Sequence, residues 1–307
     1  MLPQFLIIGA QKSGTTRLKL YLDDCGDLYF APQHVRFFAK DAQYQRGIDW
    51  YASFFDACAP GQIPGAKQPG FHYLPWVPER IQAYLPNVKL IWILREPVAR
   101  TYSSFWHAAS RGNEWLSFEK AIEGEERRVR KDIHKGYVRR GLYADQVEQY
   151  LRFFPQEQML FLLFEEMVAD PEAVVNRALA FLGSDSRVAA PPREPKNGRR
   201  LPRSVLLQCA ARSVFGYRTR GYRLMNRLNH LVPRGGGYPP LDSTMQARLQ
   251  ERFREPNERL AKITGLKLDD WWERPGASAR QAGMSPESRP VQAHADSGVA
   301  ATRATSM

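Results

Sequence analysis

Apolar residues fall along this chain in short unbroken runs separated by longer stretches of helical spacing. The first run, "FLIIG" at 5–9, reads as a buried strand. After a small-residue loop, "TTRLKLYLDDCG" sets Leu18, Tyr21 and Leu22 on one helical face and reaches Gly26 as a stop. "VKLIWILREP" at 88–97 lacks polar alternation, which suits the middle of a parallel sheet covered on both faces. "MLFLLFEEM" at 159–167 has the same character, and amphipathic stretches at 98–110, 117–129 and 141–154 predict helices between the runs. Strands and helices therefore alternate. The expected class is α/β, a three-layer P-loop-like fold with a central parallel sheet flanked by helices.

After Gly183 the pattern changes. Residues 187–204 are rich in proline and arginine and have no periodicity, which predicts a long surface loop. Helical spacing returns in "PLDSTMQARLQERFREPNERLAKITG": Asp242 or Ser243 can cap it, Leu249, Phe253 and Leu260 form its apolar stripe, and Gly265 ends it. Trp271 and Trp272 are expected to dock that end on the body. From 275 to 307 the chain is Ala, Ser, Arg, Gly and Pro with almost nothing to bury, so a folded domain over 1–274 and a disordered tail are expected.

Composition narrows the partners. Of 307 residues, 43% are hydrophobic and 25% charged, enough to build one large core or two modest ones. The net charge of +12 calls for something anionic: a nucleotide, a sulfated or phosphorylated substrate, nucleic acid or a membrane surface. None of the zinc-finger or RNP signatures of nucleic-acid binding is visible, and nucleic acid is not expected as a partner. Cys25, Cys58 and Cys209 have no metal-ligand spacing and are too few for a disulfide framework, which suits a reducing compartment. Phe5–Ile8 is too short for a signal segment and no later run approaches about 20 apolar residues, so a cytoplasmic protein without a transmembrane segment is expected. Oligomeric state leaves no mark on the sequence.

The chemistry starts in Gly9-Ala10-Gln11-Lys12-Ser13-Gly14-Thr15-Thr16. The glycine spacing is that of a P-loop, but the lysine precedes the second glycine. Backbone N–H groups and a helix N-terminus there point at an anion, and the threonine hydroxyls add donors. A lysine inside the loop can follow charge onto a bridging oxygen. A nucleotide kinase or NTPase would want an acidic residue at the end of the neighbouring apolar strand to hold Mg²⁺. Here "LIWIL" ends in Arg95, which repels a metal and attracts a second phosphate, and Ser103, two helical turns on, can share it. No metal ligands are expected.

These segments resemble the sulfotransferases that use 3'-phosphoadenosine 5'-phosphosulfate (PAPS), especially their bacterial and heparan-sulfate-type branch, over most of residues 4–272. "GAQKSGTT" is similar to the 5'-phosphosulfate loop of that family and "LREPVARTYSSF" to its 3'-phosphate motif. The resemblance implies that Lys12 contacts the bridging oxygen and that Ser13, Gly14, Thr15 and Thr16 hold the 5'-phosphate. It assigns Arg95 and Ser103 to the 3'-phosphate. Lys196, Gly198 and Arg199 fall where the family has a lid over the nucleotide; a solvated charge run is the alternative. The implied reaction is metal-independent, in-line transfer of a sulfuryl group to a hydroxyl of a carbohydrate-like or secondary-metabolite acceptor, leaving adenosine 3',5'-bisphosphate.

The pattern also breaks. The branch carries a glutamate base in "K-E-x-x-F-F", and "QHVRFFAKD" has His34 in its place. A second acidic position is Ala66, followed by Lys67. His34 is the expected general base, because an imidazole titrates near neutrality. His72 and His107 are reserves, while His134, His230 and His294 read as surface residues. Phe37, Phe38, Trp50, Tyr51, Tyr73, Trp76 and Trp106 either line an acceptor cleft or fill the core. The competing readings are a P-loop kinase or NTPase and a catalytically inactive nucleotide or polyanion binder.

Overall fold

The computed structural model describes residues 1–32, 35–188, 201–217, 219–231 and 238–273. Five strands, β1 (Phe5–Gly9), β2 (Leu28–Phe30), β3 (Ile63–Lys67), β4 (Lys89–Leu94) and β5 (Met159–Leu163), form one sheet in the order β2-β3-β1-β4-β5. Each neighbouring pair is parallel, and Phe5 of β1 is in register with Gly65 of β3 on one side and Lys89 of β4 on the other. Every β1 residue is buried, as a strand covered on both faces requires.

Eight helices of eight residues or more occur among the described residues: α1 (Thr15–Asp23), α2 (Val77–Tyr84), α3 (Pro97–Ala109), α4 (Tyr143–Leu151), α5 (Pro171–Leu182), α6 (Val205–Phe215), α7 (Arg220–Asn229) and α8 (Ser243–Thr264). The alternation of side chains along β1 and β4 splits the core into two halves. Leu6, Ile8, Leu90 and Trp92 meet Ile81 of α2, Tyr150 of α4 and Leu260 of α8. Phe5, Ile7, Ile91 and Ile93 meet Leu18 and Leu22 of α1 and Val175 and Leu179 of α5. Helix, sheet and helix make the three layers. A third cluster joins Val98 and Phe105 of α3 to Leu249 and Phe253 of α8.

Several boundaries differ from the expected ones. The 117–129 stretch is two short helices, Phe118–Glu123 and Glu125–Val129, meeting at Gly124. The 159–167 run leaves the sheet after Leu163, and Phe164–Ala169 turns helical. The cap of α8 is Asp242, whose carboxylate accepts from Met245 N at 2.9 Å, and Gly265 ends the helix at φ 70°. Trp271 is buried with its ring 6.0 Å from Tyr143; the Trp272 side chain, most of the 187–204 loop and the expected tail lie outside the described residues. Among the described residues no helix is long and apolar enough to cross a membrane.

β3 escaped the pattern because "IPGAK" has neither an apolar run nor strict alternation. Its glycine is required by packing, since a Cβ on Gly65 would lie 2.1 Å from Phe5 Cζ. Gly65→Ala is expected to cost about 1–3 kcal/mol by overpacking the β1–β3 contact, read by urea unfolding. Phe5→Leu in the same chain should restore part of that loss.

Candidate active site

The loop after β1 turns into α1 through Gly14, which is left-handed at φ 90°. A Cβ there would come within 2.6 Å of Met167 Cε and 2.7 Å of Phe164 Cδ2, so the turn fits glycine on two counts. Lys12 also has a positive φ, 75°, a conformation that a non-glycine residue adopts only when its surroundings hold it there. The N-terminus of α1 has no side-chain cap and no acidic residue in its first turn. By contrast α3, α5 and α8 are capped by the carboxylates of Glu96, Asp170 and Asp242. The first N–H groups of α1 thus face a place where an anion can do the work of a cap.

Two strands flank β1 and each brings a cation to its end. Arg95 follows the last residue of β4, is 7% exposed, donates from Nη1 to the Lys12 carbonyl at 3.4 Å, and lies 4.8 Å over the Phe164 ring. Lys67 is the last residue of β3; its Nζ donates to Thr16 Oγ1 at 2.9 Å. Burial, and then the charge of Lys19, pull the Lys67 pKa down to about 8. In the sequence Lys67 carries no signal beyond following Ala66. Nothing short of strand order marks it as a neighbour of the phosphate loop. Ser103, on α3, is buried with its Oγ 3.4 Å from the Tyr238 hydroxyl, and α3 is anchored at its start by Glu96, whose carboxylate accepts from Val98 N and Ala99 N.

A basic wall reaches the loop through Gln11. Arg140 donates to Gln11 Oε1 at 2.5 Å and its guanidinium lies 4.5 Å over the Tyr73 ring, while the Tyr73 hydroxyl meets His134 Nδ1 at 2.5 Å. His134 is exposed, as expected, yet burial of its ring and the charge of Arg140 push its pKa down, with Arg36 and Lys40 adding to the effect. The wall therefore draws together Arg36, Lys40, His134 and Arg140 from three separate segments.

The reserve bases do not suit the task. His72 has no exposed surface, packs beneath Gly9, where a Cβ would lie 2.6 Å from its own, and has Nδ1 2.9 Å from the Pro69 carbonyl. Burial, with Arg100 and Arg140, drives its pKa to about 3. His107 is held at about 2 by burial and by Lys12, Arg111 and Arg140, too weak a base to take a hydroxyl proton efficiently. His34, Lys196, Gly198 and Arg199 lie outside the described residues. Of the aromatic residues, Phe37, Phe38 and Tyr51 are core at 0%, 0% and 2% exposure, Trp106 stacks on Tyr238, and Tyr73 flanks the loop through Arg140. Among the described residues no group of three His, Cys, Asp or Glu side chains is placed to hold a metal ion.

The profile of the sulfotransferase domain matches residues 2–194 of the chain. The chain belongs to the PAPS-dependent sulfotransferase family. Human heparan sulfate glucosamine 3-O-sulfotransferase 6 is 31% identical over 263 residues, covering 86% of this chain and 72% of that relative. Human heparan sulfate glucosamine 3-O-sulfotransferase 3B1 is 27% identical over 271 residues, 86% of this chain and 64% of its own length. A sulfotransferase from Alicyclobacillus acidocaldarius superposes with a TM-score of 0.66 at 25% identity, covering 88% of this chain and 99% of the other. The co-substrate of this sulfotransferase is accordingly PAPS, and the kinase or NTPase reading gives way. The structure brings together donors suited to an anionic ligand: Lys67 on Thr16 beside the α1 N-terminus, and Arg95 on the Lys12 carbonyl.

Lys67 gives the sulfotransferase a pH signature. A lysine that titrates near 8 in the free protein is held protonated by a bound phosphate, so binding above about pH 8 must take up a proton. The affinity for adenosine 3',5'-bisphosphate is expected to be flat below about pH 8 and to fall as pH rises beyond it, by up to about tenfold per unit. Titration calorimetry checks this, and Lys67→Met should bind more weakly at pH 7 and lose the slope.

Proposed function

We propose that the protein moves the sulfuryl group of PAPS to a hydroxyl of a carbohydrate acceptor by metal-independent, in-line displacement. The acceptor oxygen forms its bond to sulfur as the bond from sulfur to the bridging oxygen breaks, and the bisphosphate leaves with the electron pair. The acceptor proton goes to a base. Lys12, inside the loop, is the residue to neutralise charge gathering on the bridging oxygen, with the α1 N–H groups beside it. Arg95 and Ser103 fix the other end of the nucleotide, which orients the sulfur for attack.

The observation that carries this reading is Arg95 at the end of β4, in contact with the lysine loop, where a metal-using nucleotide enzyme would need a carboxylate. A carbohydrate acceptor is supported by the similarity to heparan sulfate glucosamine 3-O-sulfotransferases and by the basic wall of Arg36, Lys40 and Arg140, which suits an acceptor that is itself sulfated or carboxylated. His34 is the proposed base from its place in "QHVRFF", and the low pKa of His72 and of His107 supports preferring it to either of them.

Transfer of labelled sulfate from PAPS to heparan sulfate oligosaccharides tests the proposal. Lys12→Ala should lower turnover about 10²- to 10³-fold while the bisphosphate still raises the melting temperature. His34→Ala should lower turnover more than about tenfold with nucleotide binding intact. A smaller fall would remove His34 from the reaction, and no transfer by the native protein to any hydroxylated acceptor would leave the inactive-binder reading standing.

A further inference from the structure

The match to the family profile ends at residue 194, and beyond it α6 and α7 pack side by side as a hairpin whose side chains are distributed inside out. The seam between the two helices is polar. Gln208, 0% exposed, donates from Nε2 to the Tyr222 hydroxyl at 2.9 Å and to Asn226 Oδ1 at 2.7 Å, and Asn229 Nδ2 donates to Gln208 Oε1 at 3.0 Å. The aliphatic residues point outward instead: Leu206 is 67% exposed, Val214 75%, Leu224 60% and Leu228 61%. A helix of a globular protein normally hides that stripe.

Charge says what covers it. From 201 to 231 the chain has no Asp or Glu, and its charged residues are Arg203, Arg212, Arg218, Arg220, Arg223 and Arg227. On α7 the exposed pairs Arg223-Leu224 and Arg227-Leu228 repeat one helical turn apart, so cation and aliphatic side chain sit together on the outward face. The hairpin is anchored from behind, where Cys209 Sγ donates to the Glu114 carbonyl at 3.3 Å and Arg212 Nη1 to the Arg111 carbonyl at 3.2 Å. None of these residues is among those named above for the nucleotide. We propose that the outward face of the α6–α7 hairpin docks on an anionic lipid bilayer. The aliphatic side chains enter the interface and Arg223 and Arg227 meet the headgroup phosphates, as a basic amphipathic helix does. A second copy of this chain suits the face poorly, because a two-fold contact would set arginines against arginines.

Sedimentation with large unilamellar vesicles tests this. The full chain should bind vesicles containing phosphatidylglycerol and not vesicles of phosphatidylcholine alone. Leu224→Asp with Leu228→Asp should cut that partition at least about tenfold. Val214→Asp on α6 should weaken it independently, and Arg223→Gln with Arg227→Gln should weaken it and flatten its salt dependence. Each variant should keep its thermal stabilisation by adenosine 3',5'-bisphosphate, which shows that it is folded. Three results would overturn the proposal: no binding to anionic vesicles, binding unchanged in the Leu224→Asp/Leu228→Asp chain, or a dimer by light scattering that those same substitutions dissolve.

Discussion

Parallel strands deliver their carboxyl ends to one edge of a sheet, and β1, held between β3 and β4, is the strand around which that edge is organised. Its own end supplies the glycine loop and the uncapped start of α1. Its two neighbours supply Lys67 and Arg95. The register that pairs Ile7 with Lys67 on one side and Ile91 on the other fixes how far each cation stands from the loop. A slip of either strand by one residue would send its side chains to the opposite faces and dissolve the arrangement.

Gathering so much positive charge has a cost, visible in the titrating groups. Burial and neighbouring cations hold Lys67 near 8 and His72 near 3; Arg100, wholly buried with its guanidinium donating to the Tyr137 carbonyl, is brought down to about 10. All three shifts disfavour the charged form, and in each burial is the larger cause, with a neighbouring cation adding to it. The buried carboxylate of Glu114, paired with Arg128 and hydrogen-bonded by Tyr137 at 2.7 Å, shows the opposite, structural use of charge in the same molecule.

The hairpin at 205–229 obeys a different logic. Elsewhere the helices bury leucine, valine and phenylalanine against the sheet, whereas here amides fill the seam and leucines face outward. The two basic features, the wall of Arg36, Lys40 and Arg140 and the arginines of the hairpin, share no residue.

The amino-acid order alone determined that β1, β4 and β5 are buried strands, that α1, α3, α4 and α8 are helices, and that a glycine loop carrying Lys12 joins β1 to α1 while Arg95 follows β4. Those features are local: a run of apolar residues, a glycine spacing and a cap each act within a few positions of the chain. Tertiary structure alone decided that Lys67 reaches Thr16, that Arg140 bridges Gln11 and Tyr73, that His72 is sealed under Gly9, and that β3 lies beside β1 although "IPGAK" has no strand pattern. Each of these joins residues far apart in sequence, and such contacts depend on strand order and packing, which no local periodicity encodes.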